Sequence, residues 1–276
     1  MLVNLALLDA LKAQGANDIQ RTYDAYDKAL SYDTSLGRME IGEQFSRFAL
    51  SAGTRPELTT EFRSMMLRRS IELAERIVQE NPSDPRSRLF LAIILSKVGI
   101  YDKALEAFDV ALKLSPMKHQ VYFELADAYL QMGNTKKAVE VMEDIYQKTK
   151  NFGAVGFNLV VVHLLNDEQD VVDKLLLENF GTVDVGDDLL ARAYRAVGNQ
   201  ARLAGALEAL VATTTANKNY SASTDYRLQL ASTYHKLGRT KDAIRELQIV
   251  ITERPDFATT GNDIIAKLRR GEKVEF

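Results

Sequence analysis

The sequence predicts an all-α chain of stacked helix pairs, a solenoid, and three observations carry that prediction. First, residues 84–150 say the same thing twice. Gly99 is matched by Gly133, Leu91 by Leu125, Leu95 by Tyr129, Ala104 by Ala138 and Phe108 by Met142, each 34 residues on. Pro82 and Pro116 keep the same interval. Self-similarity at a fixed period in this range marks a repeat architecture. Second, Arg88, Leu91, Ala92 and Leu95 are spaced as one stripe of an amphipathic helix. Third, the punctuation recurs. Gly99, Gly133, Gly198 and Gly238 stand just past helix ends, where a left-handed residue stops a helix without steric cost. Pro116 and Pro255 keep the second helix of a pair from running on.

Taken in order, residues 2–14 read as a helix with Leu2, Leu5 and Leu8 on one side and Gly15 at its end. Asn17 or Asp18 can cap a second helix through Tyr23, Tyr26 and Leu30. Residues 31–37 are turn-forming, and Ile41, Phe45, Phe48 and Ala49 recur at helical spacing over 38–50. Pro56 suits the first turn of the next helix, which runs to Glu80 and exceeds twenty residues. This makes 1–84 a region of degenerate, expanded helical repeats.

Five repeats are expected over 85–257, at 85–118, 119–152, 153–183, 184–223 and 224–257. The third is weaker: Leu159, His163, Val172 and Leu176 hold the register, and Asp167 stands at the glycine position. The fourth resets on Leu190, Ala191, Tyr194, Gly198 and Leu207. Polar residues 213–223 lengthen the next interval, since Gly198 and Gly238 are 40 apart. The fifth is sharp again at Leu230, Ala231, Tyr234, Ala243, Leu247 and Pro255. Residues 258–276 supply a capping helix and tail, with a basic helix over Asp263 to Arg270, so that one continuous solenoid ends without an exposed apolar face.

These residues resemble the tetratricopeptide repeat family. Arg88, Leu91, Ala92, Leu95, Ala104, Phe108, Ala111 and Pro116 fall on its signature positions, and only the leading Trp is missing. The resemblance implies a right-handed α-solenoid whose groove is lined by a second stripe of each first helix. Those positions are Leu89, Ile93 and Ser96, then Phe123, Asp127 and Leu130. The third repeat supplies Phe157, Val161 and Leu164, and the fourth Asp188, Arg192 and Arg195. Asp225, Leu228, Ser232 and His235 belong to the fifth. The stripe departs from the Lys, Asn and Arg set with which chaperone-binding members hold a C-terminal carboxylate. Its apolar middle suits an amphipathic helix or an extended apolar segment. The rival expectation is that the helix around Leu2 to Leu11, or the enlarged second unit, fills it.

Composition points away from chemistry. The net charge is −3, which gives no electrostatic reason to expect nucleic acid. No cysteine is present, so disulfides and thiolate metal sites are excluded. The apolar run 1–11 is too short to span a bilayer. No phosphate-cradling, HExxH, GxSxG or EF-hand motif occurs. His119, His163 and His235 lie in different repeats, and His163 replaces a packing aromatic. Asp167, Glu168 and Asp170 sit where carboxylates favour a helix start. The expectation is therefore a non-catalytic scaffold with no cofactor or metal, binding a protein or peptide. Self-association through the groove is the alternative use of that surface.

A narrower resemblance concerns residues 28–50, KALSYDTSLGRMEIGEQFSRFAL. This segment is similar to the region following the last membrane span of bacterial O-antigen ligase-like proteins, where soluble repeats trail a polytopic domain. It implies an accessory domain that organises partners of glycan transfer, tethered at a membrane. Without it, a cytoplasmic scaffold is the default expectation.

Overall fold

A computed structural model of the chain describes residues 2–32, 35–150, 152–272 and 274, with residues 35 and 36 described by backbone alone. Among the described residues the regular elements are fifteen α-helices and one 3₁₀ turn, so the predicted all-α fold is what forms. The chain divides into two compact units, Met1–Asn134 and Thr135–Phe276.

The first unit holds α1 (Leu2–Gly15), α2 (Ile19–Ser31), α3 (Ser35–Gly53), α4 (Thr60–Glu80), α5 (Pro85–Lys97), α6 (Tyr101–Leu114) and α7 (His119–Gln131). Sequential neighbours pack against each other, α1 on α2, α3 on α4 and α5 on α6. Asp18 caps α2 by accepting from the Arg21 N–H, and Asn17 instead takes a left-handed φ of 58°. Asp33 and Thr34 of the expected 31–37 turn lie outside the described residues, and α3 begins at Ser35, earlier than the apolar spacing suggests. Pro56 does not open α4. Thr59 accepts from the Phe62 N–H and starts the helix at Thr60, and a side-chain cap outweighs proline's fixed φ as a start signal. Asp84 caps α5, with Pro85 in its first turn.

Small residues decide what α1 buries. Ala6, Ala10 and Ala13 are its buried residues, and they let α2 approach closely. Leu2, Leu5 and Leu8 remain 62%, 54% and 52% exposed.

The second unit holds α8 (Thr135–Thr149), α9 (Gly153–Leu165), α10 (Gln169–Phe180), α11 (Asp188–Ala196), α12 (Gln200–Ala216), α13 (Tyr220–Lys236), α14 (Thr240–Glu253), the 3₁₀ turn Pro255–Phe257 and α15 (Ala258–Arg270). Leu176, Leu190, Tyr194, Leu203, Leu207, Leu230, Tyr234 and Leu247 form its continuous core. The polar stretch 213–223 lengthens two helices, α12 and α13, to 17 residues each. The closing helix α15 seats Ile264, Ile265 and Leu268 on this core and turns Arg269 and Arg270 outward. It starts at Ala258, before the expected Asp263.

The glycine corners share one geometry. Gly99 has φ 82°, its N–H bonds to Ser96 O, and the next N–H, of Ile100, reaches back to Leu95 O at 2.8 Å, the double bond pattern that closes a helix C-terminus. Asp167 adopts φ 62° with the same pair of bonds, to Leu164 O and, from Glu168, to His163 O. The corner thus survives without its glycine. Glu168 does not cap α10 with its side chain. Its Oε2 lies 2.6 Å from Nδ1 of His163, which is 4% exposed, so a carboxylate satisfies the histidine that replaces the packing aromatic.

Candidate partner-binding site

In the first unit the second-stripe residues Leu89 and Ile93 of α5 line a cleft of about 290 Å³. Phe90 and Ile94 of α5 and Leu50 of α3 complete its apolar surface. Residues of α3 stand across from them: Glu43, Ser46 and Arg47 fall at i, i+3 and i+4 on one helix face. Lys118 and Gln120, at the start of α7, also line it. No residue of α1 contributes to this lining. Helix α3 of the expanded region 1–84 thus forms part of the cleft's lining.

The polar rim is unevenly paired. Glu43 Oε1 receives Arg86 Nη2 at 3.1 Å and the Arg86 Nε–H at 3.2 Å. Ser46 accepts from the Ser70 hydroxyl at 2.6 Å, a buried pair that spends the cleft's one hydroxyl on the fold. The side chains of Arg47 and Lys118 make no ion pair among the described residues. A volume near the lower limit of roughly 300 Å³ for drug-sized ligand pockets suits one or two side chains of a peptide.

The other stripe positions of this unit lie on α7, outside that lining. Phe123 and Leu130 are half-buried, and the Phe123 ring is 6.4 Å from that of His119. Asp127 accepts from Lys97 Nζ at 2.6 Å and from Gln131 Nε2 at 2.5 Å, so it is already neutralised. Beside it, burial pushes the Glu124 carboxyl above its ordinary value, Lys97 opposes the shift and Asp127 adds to it.

In the second unit Phe157 packs into an aromatic cluster, 5.1 Å from Phe152 and 5.7 Å from Phe180 between ring centroids. Val161 is half-buried and Leu164 buried. Arg192 is exposed, and its Nε–H donates to Asp188 O at 3.2 Å. Arg195 donates to Gln229 Oε1 and lines a second cleft of about 240 Å³ with Leu203, Leu228, Gln229, Ser232, Thr233 and Lys236. Among the described residues no group of three or more His, Asp or Glu is placed to hold a metal ion. No helix among them is long and apolar enough to cross a membrane.

Sequence reasoning did not find Glu43, Arg47, Leu50 or Lys118. The first three belong to a helix without repeat signature, and their i, i+4, i+7 spacing was the signal available. Lys118 precedes its helix and so falls outside any helical stripe.

Three tetratricopeptide repeat family models match, over residues 67–116, 97–155 and 225–256. Among curated proteins, none matches the sequence. Similar solved structures include a tetratricopeptide repeat protein from Parabacteroides merdae, 10% identical with TM-score 0.49, covering 97% of this chain and 98% of that one. MamA protein is 17% identical with TM-score 0.44, covering 64% of this chain and 91% of MamA. YrrB, described as a TPR protein with an unusual peptide-binding site, is 18% identical with TM-score 0.38, covering 67% of this chain and 94% of YrrB. Residues 67–155 and 225–256 are thus matched as tetratricopeptide repeats, in stretches whose helix pairs turn on the glycine corners at Gly99, Gly133 and Gly238.

Proposed function

We propose that this chain is a non-catalytic interaction scaffold that receives a peptide or helical segment of a protein partner on the second stripe of its first helices. Tetratricopeptide repeats generally mediate protein–protein interaction, and no catalytic family is indicated by the matches. The observation that carries the reading is the apolar cleft where half-buried Ile93 reaches the surface over buried Leu89, two residues expected on the binding stripe. Burying an aliphatic side chain there is worth roughly 1.5–3 kcal/mol, enough to anchor a segment. Phe123, Asp127, Leu130, Phe157, Val161, Leu164, Arg192 and Arg195 extend the stripe in this proposal, each within its own unit. The repeat boundaries from 85–118 to 224–257 belong to the same reading.

The test is a pull-down with mass spectrometry comparing the chain with its Ile93→Asp variant, circular dichroism checking that both fold. Loss of specific partners from the variant is expected. An unchanged partner set on an intact fold removes the cleft from the proposal.

The second reading, an accessory domain of an O-antigen ligase-like membrane protein, rests on residues 28–50 alone. That segment lies outside the residues that match the family models. Coding sequence upstream of Met1 decides it: about ten apolar spans would support this reading, and their absence would end it.

A further inference from the structure

We infer that the α3–α5–α7 cleft selects an internal peptide segment in which an apolar side chain is flanked by acidic side chains. This inference rests on the interaction reading above and adds the chemistry of the partner.

Three independent features of the cleft point to negative charge beside an apolar anchor. Among the described residues that line it, the one carboxylate, Glu43, is already held by Arg86. That leaves Arg47 on α3 and Lys118 before α7 as lining cations without an ion-pair partner among the described residues. The chain as a whole carries a net charge of −3, so the positive rim is local and not a reflection of overall composition.

The third feature is the start of α7. Lys118 stands at its N-cap and offers no side-chain acceptor, whereas Asp18, Thr59 and Asp84 cap α2, α4 and α5. The Val121 N–H is bonded to Lys118 O at 3.0 Å, so the His119 and Gln120 N–H groups are the ones left without a backbone acceptor among the described residues, and partial positive charge gathers at this helix N-terminus beside Gln120 of the lining. Carboxylates at a helix N-terminus and against a guanidinium make charge-assisted hydrogen bonds. Leu89, Phe90 and Ile93 meanwhile supply the apolar floor. Complementary charge around an apolar anchor sets partner choice and association rate.

The experiment pans a display library of internal random peptides against the full chain and against the folded variants Arg47→Glu/Lys118→Glu and Ile93→Asp. The expected consensus is aliphatic or aromatic residues flanked by Asp or Glu. Synthesised with blocked termini, a consensus peptide should lose about tenfold or more in affinity to the charge-reversed variant. It should also weaken as salt rises, and panning the charge-reversed variant should select Lys and Arg instead. A consensus that is apolar without charge bias, and bound equally by the charge-reversed variant, overturns this inference but leaves the scaffold reading standing. A requirement for a free C-terminal carboxylate overturns it as well. Binders that ignore both Ile93→Asp and the charge reversal overturn the inference and the cleft reading together.

Discussion

Replacing Arg227 with leucine removes the cation from the most enclosed ion pair of the second unit. Arg227 Nη1 lies 2.7 Å from Glu246 Oε2, and the two side chains are only 13% and 7% exposed. The pair is part of a small network. Glu246 Oε1 also meets Arg245 Nε at 3.2 Å, Arg227 Nε faces Glu253 at 3.8 Å, and Glu253 accepts from the Thr224 hydroxyl at 3.0 Å. Breaking a buried pair from one side costs about 3–5 kcal/mol because the survivor is left enclosed and uncompensated. Here Arg245 remains beside Glu246, though its side chain is 55% exposed, so the lower end, about 3 kcal/mol, is expected. Glu246→Leu should cost about the same, since Glu253 only partly compensates Arg227. The double variant Arg227→Leu/Glu246→Leu leaves neither charge stranded and should recover to within about 1 kcal/mol of the parent. Native-state hydrogen exchange reads the effect locally, with amides of α13 and α14 compared against those of α5 and α6 in the other unit. A loss of about 3 kcal/mol appears as roughly a hundredfold faster exchange in α13 and α14. Additive losses in the double variant would refute the reasoning, because they would show that the two charges do not stabilise each other.

Burial pushes up the phenols of Tyr23, Tyr26, Tyr194, Tyr226 and Tyr234, with a hydrogen bond to Glu208 adding to the rise at Tyr234. In the unfolded chain these groups ionise near pH 10, so the stability they contribute is whole below about pH 10 and is lost as pH rises through the folded values. Phenolate absorbance should lag that of free tyrosine while the urea midpoint falls above about pH 10, and a midpoint that climbs there contradicts the account. Asp167→Gly should hold the φ 62° corner at less strain and gain about 0.5 kcal/mol, whereas Asp167→Val should lose about 1–3 kcal/mol. Thermal unfolding of the three chains checks that order. Gly186→Ala would bring a methyl group 2.9 Å from the Ala209 carbonyl carbon and the Leu210 nitrogen, and backbone cannot step aside as a side chain can. A loss of about 1–3 kcal/mol in urea denaturation is expected, and a neutral result would mean the segment before α11 is free to shift.

Much of the fold is legible residue by residue. Asp84 followed by Pro85 announces the start of α5, and Gly99 announces its end, because caps and left-handed corners are chemistry carried within a few residues. Asp167 shows the limit of that legibility in a favourable direction: the backbone bonds keep the corner, so the glycine is a preference and not a requirement. Pro56 shows the opposite case, where two start signals compete and Thr59 prevails through its side-chain hydrogen bond to Phe62. The site is less legible. Leu89 and Ile93 were accessible from their repeat positions, but Asp127 was read as open stripe and is held by Lys97, thirty residues away in sequence.

The all-α class, the repeat interval and the corners at Gly99, Gly133, Gly198 and Gly238 are local properties carried by residue spacing and caps, whereas the starts of α3, α4 and α15 and the inward face of α1 were not. Which stripe positions stay open is not local. Leu89 and Leu164 are buried, Ile93 and Val161 half-buried, although all four stand on the same stripe. Whether a neighbouring helix covers a side chain depends on how closely two helices approach, and that distance is set by the small residues between them. Ala6, Ala10 and Ala13 drew α1 onto α2 with its leucines outward, and α3 was left to wall the cleft with Arg47. Only the tertiary structure could decide that, because packing distance is a property of pairs of helices and no single helix encodes it.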